Sequence, residues 1–293
     1  MERQLISFDW ALKHILRAKE NFDILEGFLS ELLGEEIVIL DLLESESNQE
    51  SEKDKFNRVD ILAKDEKESL ILIEVQYERE LDYFQRIAFG GAKLLTGYFK
   101  KGEPYGNLKK VVTVHIVYFD LGSGKDYLYK GTTRFEGIYQ KDELKLNPAQ
   151  TALFQTEQVE DIFPQHYLIR MDAYHDEVKN NLDEWVYFLK NSVVKESFGA
   201  KNIKKAQEKL DVLRMNEKDR LSYENYLENL SYQKSVFETA RFEGKLEGRI
   251  EGREEGKLEA KYETVRKMIK KNYDIQDIAD LTGLSIEEIK KLM

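Results

Sequence analysis

The chain has 293 residues, no cysteine, 45 basic against 56 acidic side chains and a formal net charge of −11. That length can build one sizeable domain with appendages, and the lack of cysteine excludes a disulfide framework or thiolate metal site and fits a reducing cytoplasm. The acidic balance argues against a surface that clings to nucleic acid throughout, while 45 basic residues leave room for a local basic groove.

No apolar run approaches the ~20 residues that cross a bilayer, and Met1 to Ile6 lack the basic-then-apolar layout of a signal peptide. A cytoplasmic protein with no membrane partner is therefore expected. Residues 7–33 carry helical spacing, with Phe8, Leu12, Ile15 and Leu16, then Phe22, Leu25, Phe28, Leu29, Leu32 and Leu33. Two helices are predicted, the second stopping at Gly34. Asp9 and Lys13, four apart, read as an ordinary helix-surface ion pair. A strand over 36–43 and an acidic loop over 44–51 follow.

Next come Asn57-Arg58-Val59-Asp60-Ile61-Leu62, a polar turn Lys64-Asp65-Glu66-Lys67-Glu68, and Leu70-Ile71-Leu72-Ile73-Glu74-Val75-Gln76. Alternation puts Leu70, Leu72, Glu74 and Gln76 on one face and Ile71, Ile73 and Val75 on the other. Both faces begin apolar, so this is a central strand, and the turn sets it beside the Asp60 segment as a hairpin. Residues 81–99 predict a helix with Phe84, Ile87, Ala88, Gly91, Leu94, Leu95 and Tyr98 on its inner side, where Gly90 and Gly91 allow close approach to the sheet. Residues 109–119 form a buried strand by composition, with His115 as a hydrogen-bonded core histidine; weaker strands are expected at 127–135 and 165–171. The result is an α/β core over residues 1–175.

From residue 176 the chain turns helical and highly charged. A helical region over 176–240 contains Trp185, Phe188 and Leu189, with further helices at 201–215 and 222–232. Over 241–265 glycine recurs every fourth residue, at Gly244, Gly248, Gly252 and Gly256, each preceded by Glu. Helix-favouring neighbours argue for a helix in which each glycine costs roughly 0.8–1.0 kcal/mol, a penalty that close packing along the stripe would offset. The tail, 266–293, reads as short helices: Asp274 caps one, Thr282-Gly283-Leu284 turns the chain, and Ser285 with Glu288 forms a capping box. The tail resembles a helix-turn-helix, although its last helix is short and Glu-rich; packing or oligomerisation is the competing role.

Asp60 and Glu74, with thirteen residues between them, would meet from neighbouring strands in a low-dielectric setting, where two carboxylates share a proton or hold a cation. Gln76 projects to the same side as Glu74, and the Val75 carbonyl lies between them. A hard cation such as Mg²⁺ takes oxygen ligands and supplies the polarisation that phosphodiester hydrolysis needs. No glycine-rich phosphate loop, histidine pair or nucleophile elbow is present.

Asn57-Arg58-Val59-Asp60-Ile61 followed by Ile73-Glu74-Val75-Gln76 resembles the motif of the Rpn-type recombination-promoting nucleases, also described as transposases of the PD-(D/E)xK superfamily. Phe8-Asp9-Trp10 to Lys13 is similar to that family's first core helix. The segment with Tyr83, Arg86 and Gly97-Tyr98 and the strand from Val111 to Tyr118 follow in the family's order. The resemblance covers residues 7 to about 175 and, loosely, the glycine repeat. It implies a restriction-endonuclease-like α/β fold, a mixed sheet flanked by helices, followed by an α-helical C-terminal region. It also implies metal-dependent cleavage of DNA, linked to recombination or transposition. Asp60 and Glu74 would hold Mg²⁺ (Mn²⁺ or Ca²⁺ as alternatives) with the Val75 carbonyl, while Asp9 corresponds loosely to an acidic residue that assists the metal in some members. Val59 replaces the superfamily's proline, and Gln76 stands where it has lysine. An amide orients by hydrogen bonding but supplies no charge, so a slow or inactive DNA- or protein-binding module is the alternative. Lys100, Lys101, Lys109, Lys110, Lys204 and Lys205 are the candidate DNA contacts, and the C-terminal helices are expected to drive homo-oligomerisation.

Overall fold

The computed structural model describes residues 5–43 and 61–292. Two compact units emerge, Met1–Tyr223 and Glu224–Met293. The first is built on a six-stranded sheet of order β1-β2-β3-β4-β6-β5, with β1 Ile39–Leu43, β2 Ile61–Asp65, β3 Leu70–Gln76, β4 Val111–Val117, β5 Leu128–Gly131 and β6 Gln165–Arg170. Strands β1, β2 and β3 are antiparallel, β3, β4 and β6 are parallel, and β5 returns antiparallel to β6.

The hairpin forms because Asp65, buried at the end of β2, accepts the Ser69 N–H at 2.7 Å and closes the turn through Glu68 at φ 61°. Strand β3 lies centrally, and its apolar residues are buried on both faces, as its sequence requires. Joining it to the parallel β4 takes a crossover, made by α3, Tyr83–Gly97. The crossover covers the face carrying Leu62, Leu70, Leu72 and Val111, onto which Leu94 packs. Nearer the carboxyl ends of the strands, Tyr83 and Ile87 pack with Val117, Phe119, Leu121 and Leu168.

The inner stripe of α3 is shifted by one residue from the sequence expectation. Tyr83, Ile87, Gly91 and Leu94 are buried, whereas Phe84, Ala88 and Tyr98 are exposed. Gly91 sits where a Cβ would come within 3.0 Å of the His166 ring, and this close approach sets the stripe.

Helices α1 (Phe8–His14), α2 (Phe22–Leu33) and α5 (Asn181–Asn191) meet through edge-on contacts of Phe8 with Phe28 and Phe188, and of Trp185 with Phe188. Gly34 ends α2 at φ 70°. The short helices α4 (Pro148–Phe154) and α6 (Ile203–Lys209) complete the unit up to α7, Glu217–Lys270. That helix is continuous for 54 residues, absorbing both the expected 222–232 helix and the glycine repeat. In the second unit the end of α7, α8 (Ile275–Thr282) and α9 (Ile286–Lys290) bury Val265, Ile278, Leu284 and Ile289. The Asp274 cap, the Gly283 turn at φ 68° and the Ser285–Glu288 capping box are all formed. Among the described residues no helix is long and apolar enough to cross a membrane.

Candidate active site at the carboxyl end of β3

Strand alternation aims Glu74 toward the α3 side of the sheet, beside His115 in the parallel register Glu74–His115. Glu74 as a residue is 6 % exposed, so the surroundings must satisfy its carboxylate. Oε1 bonds Arg86 Nη2, and Oε2 lies 3.4 Å from His115 Nδ1. Burial pushes the Glu74 carboxyl up, but the His115 hydrogen bond and the Arg86 charge outweigh it and hold the group below its ordinary range. For Arg86, burial disfavours the charge and the Glu74 and Glu80 carboxylates restore it.

The network extends in both directions. Outward, Arg86 Nη1 donates to Glu80 Oε1 at 2.7 Å, and Gln76 Nε2 donates to the same oxygen at 3.0 Å. Inward, Tyr83 Oη stands 3.2 Å from His115 Nδ1, His115 Nε2 stands 2.9 Å from Thr113 Oγ1, and that hydroxyl stands 2.7 Å from His166 Nδ1. His115 is thus a hydrogen-bonded core histidine, as its setting in the sequence implied, but it also touches the candidate carboxylate.

Asp60 lies outside the described residues, as do Asn57, Arg58 and Val59. The last described rung of the hairpin pairs Ile61 with Ile73, and Glu74 is the next residue of β3. Even-numbered residues of β3 bond to β4, since the Leu70 N–H donates to Lys110 O at 2.8 Å and Gln76 O accepts from the Tyr118 N–H at 2.9 Å. The backbone groups of Val75 therefore point to the β2 side. Among the described residues no three His, Asp or Glu groups gather at a metal-sized centre. Glu74 and Glu80 nonetheless converge on a single positive group, Arg86, and carboxylate oxygens around one positive centre are the donor chemistry a hard divalent ion takes. The oxygens of Glu74 and Glu80 are of the donor type that such an ion takes.

Asp9 is buried on α1, and with burial its charge raises the Tyr118 phenol, whose ring stacks on Tyr77 at 4.2 Å. Four of the six candidate lysines lie at the wrong end of the sheet. Lys109 and Lys110 precede β4 beside Leu70, paired with Glu68 and Glu35, and Lys100 and Lys101 follow the far end of α3. Lys205 pairs with Asp23 at 3.3 Å, and Lys204 Nζ donates to the Lys195 and Glu196 carbonyls. At the Glu74 end, Arg79 is exposed in the loop after β3. Sequence reasoning gave no role to Arg86, which entered only as part of the segment in the family's order, or to Glu80, whose only signal was its place shortly after the Glu74 strand.

The family model described as PD-(D/E)XK nuclease family transposase matches residues 6–240 of this chain. No curated protein and no solved structure matches it.

Proposed function

The chain belongs to the PD-(D/E)XK nuclease family transposases, and from that premise we propose that it is a Mg²⁺-dependent DNA endonuclease. The observation that carries this reading is Glu74, a carboxylate buried at the end of β3 and bonded to Arg86. Asp60 and Glu74, with the Val75 carbonyl on the same side as the β2 neighbour, would hold the ion. When bound, the ion supplies the Lewis acidity that phosphodiester hydrolysis needs. Gln76 orients the attacking water through its amide. Its amide is engaged by Glu80, so that acidic group sets where the amide points. The family description speaks of transposases; DNA recombination or transposition in the cytoplasm is the setting proposed, and the C-terminal helices are proposed to join copies of the chain.

The test is nicking of supercoiled DNA in Mg²⁺ by the purified protein. Asp60→Ala and Glu74→Ala are each expected to lower the rate by at least about a hundredfold. Activity that survives both substitutions would end the reading. A phosphate contact by Arg79 is expected to show as weaker DNA binding in Arg79→Ala, with the salt dependence reduced by about one counterion. An unchanged slope would remove Arg79 from the DNA path. Salt-sensitive DNA binding with no metal-dependent cleavage would instead favour a binding module, the reading that Gln76 in place of lysine supports.

A further inference from the structure

Arg86 has no task in this reaction as described, yet it stands at its centre together with Glu80. Arg86 bonds Glu74 through Nη2 and Glu80 through Nη1, and Glu80 also accepts from Gln76. The two carboxylates differ in surroundings: the Glu74 side chain is 8 % accessible and that of Glu80 25 %. A planar guanidinium can grip both at once because separate nitrogens serve each, which an ammonium does poorly.

A buried carboxylate without a counter-charge strongly destabilises a fold. A chain that keeps Glu74 for a divalent ion must therefore supply another cation when no ion is bound, and Arg86 makes that contact. The two cations compete. At contact distance the repulsion between a doubly charged ion and the guanidinium outweighs what is gained by steadying one side chain. Glu80 offers the displaced group a second seat to which it is already bonded, on the more open side, next to Gln76.

Resting on the metal-centre reading, we propose that Arg86 is a placeholder for the divalent ion at Glu74. It neutralises the carboxylate in the ion-free protein and moves wholly onto Glu80 when the ion arrives. It then stands at the mouth of the site as a positive charge in the neighbourhood of the neutral Gln76.

Mn²⁺ titration of the full chain without DNA, following free Mn²⁺ by electron paramagnetic resonance, tests this. Arg86→Gln is expected to bind Mn²⁺ about tenfold more tightly than the unaltered protein. It should also melt at lower temperature without the ion and gain more from saturating Mn²⁺. Equal or weaker binding overturns the proposal and makes Arg86 a residue that merely steadies Glu74. If Arg86→Gln does not fold, Glu80→Gln serves: it leaves Arg86 with Glu74 as its only seat, and Mn²⁺ affinity should fall about threefold or more. Unchanged affinity there overturns it equally. Glu74→Gln separates the two levels. If the unaltered protein shows no Mn²⁺ site that this substitution removes, the metal-centre reading falls and the placeholder with it. If the site is removed but Arg86→Gln has no tighter binding, only the placeholder falls.

Discussion

His166 and Glu74 respond to acid in the same direction for different reasons. Burial, reinforced by His115, lowers the His166 imidazole from its ordinary 6.5, so the folded state prefers it neutral. The unfolded chain takes up that proton first. The neutral ring's contribution is complete above pH 6.5 and declines as the pH falls toward the folded value. Glu74, held below its ordinary 4.5, contributes fully above 4.5 and loses that contribution as the pH falls through its folded value. Thermal midpoints should therefore fall in two stages, one beginning near pH 6.5 and the other below 4.5. His166→Gln should flatten the first stage and leave the second. Glu74→Gln should only shrink the second, because Asp23, where lysines outweigh burial, and Glu35, held low by Lys67, titrate in the same range. A midpoint that stays level between pH 6.5 and 5 in the unaltered protein would refute the His166 assignment. Glu74 was legible in the sequence because a carboxylate interrupts an alternating apolar run. Its partners were not. Arg86, Glu80 and His115 reach it from a helix, a loop and another strand, and nothing in their own neighbourhoods ties them to Glu74.

At the scale of elements, one substitution changes sign with its surroundings. A Cβ at Gly27 of α2 would meet the Lys201 carbonyl oxygen at 2.4 Å, Asn202 Cβ at 2.9 Å and Trp185 at 2.9 Å. Two of those three obstacles are backbone or Cβ atoms that cannot turn aside, so Gly27→Ala is expected to cost about 1–3 kcal/mol despite the better helix propensity of alanine. At Gly248 of α7 a Cβ would meet nothing within 4 Å. There Gly248→Ala should stabilise the helix by roughly 0.8–1.0 kcal/mol when unfolding is followed at concentrations low enough that the chain is single. Denaturant unfolding of both variants checks the pair; a Gly27→Ala protein as stable as its parent would show that α2 can slide away from α5 and α6. The existence and type of most elements were readable from apolar spacing. The facing of α3 was not, because periodicity fixes a stripe only to within a residue. The contact that decides it, Gly91 against His166, joins parts of the chain far apart in sequence.

For the whole molecule, strand, hairpin, helix, strand was enough to set an α/β core, since a parallel pair needs a crossover. The chain could not reveal which end of the sheet its lysines occupy. Lys109 and Lys110 lead into the strand that pairs with the Glu74 strand, yet they stand at the start of the parallel strands while the carboxylate stands at their close. The glycine repeat is the largest feature whose purpose a single copy leaves open. Gly244, Gly248, Gly252 and Gly256 all face open space within the chain, and so does the row of Phe242, Leu246, Ile250 and Leu258, each more than 40 % exposed. A helix carrying four glycines gives up roughly 3–4 kcal/mol against alanine, and an exposed apolar row adds nothing to a lone helix. Both are accounted for if a second copy packs there. Replacing the four glycines together by alanine then has opposite consequences in the two cases. In a monomer the helix melts later and the mass in solution is unchanged. In an assembly the added methyl groups hold the backbones apart, and sedimentation equilibrium should show the species heavier than one chain dissociating at concentrations where the unaltered protein remains associated. We expect the second outcome; an unaltered protein sedimenting as a single chain across the micromolar range would exclude it.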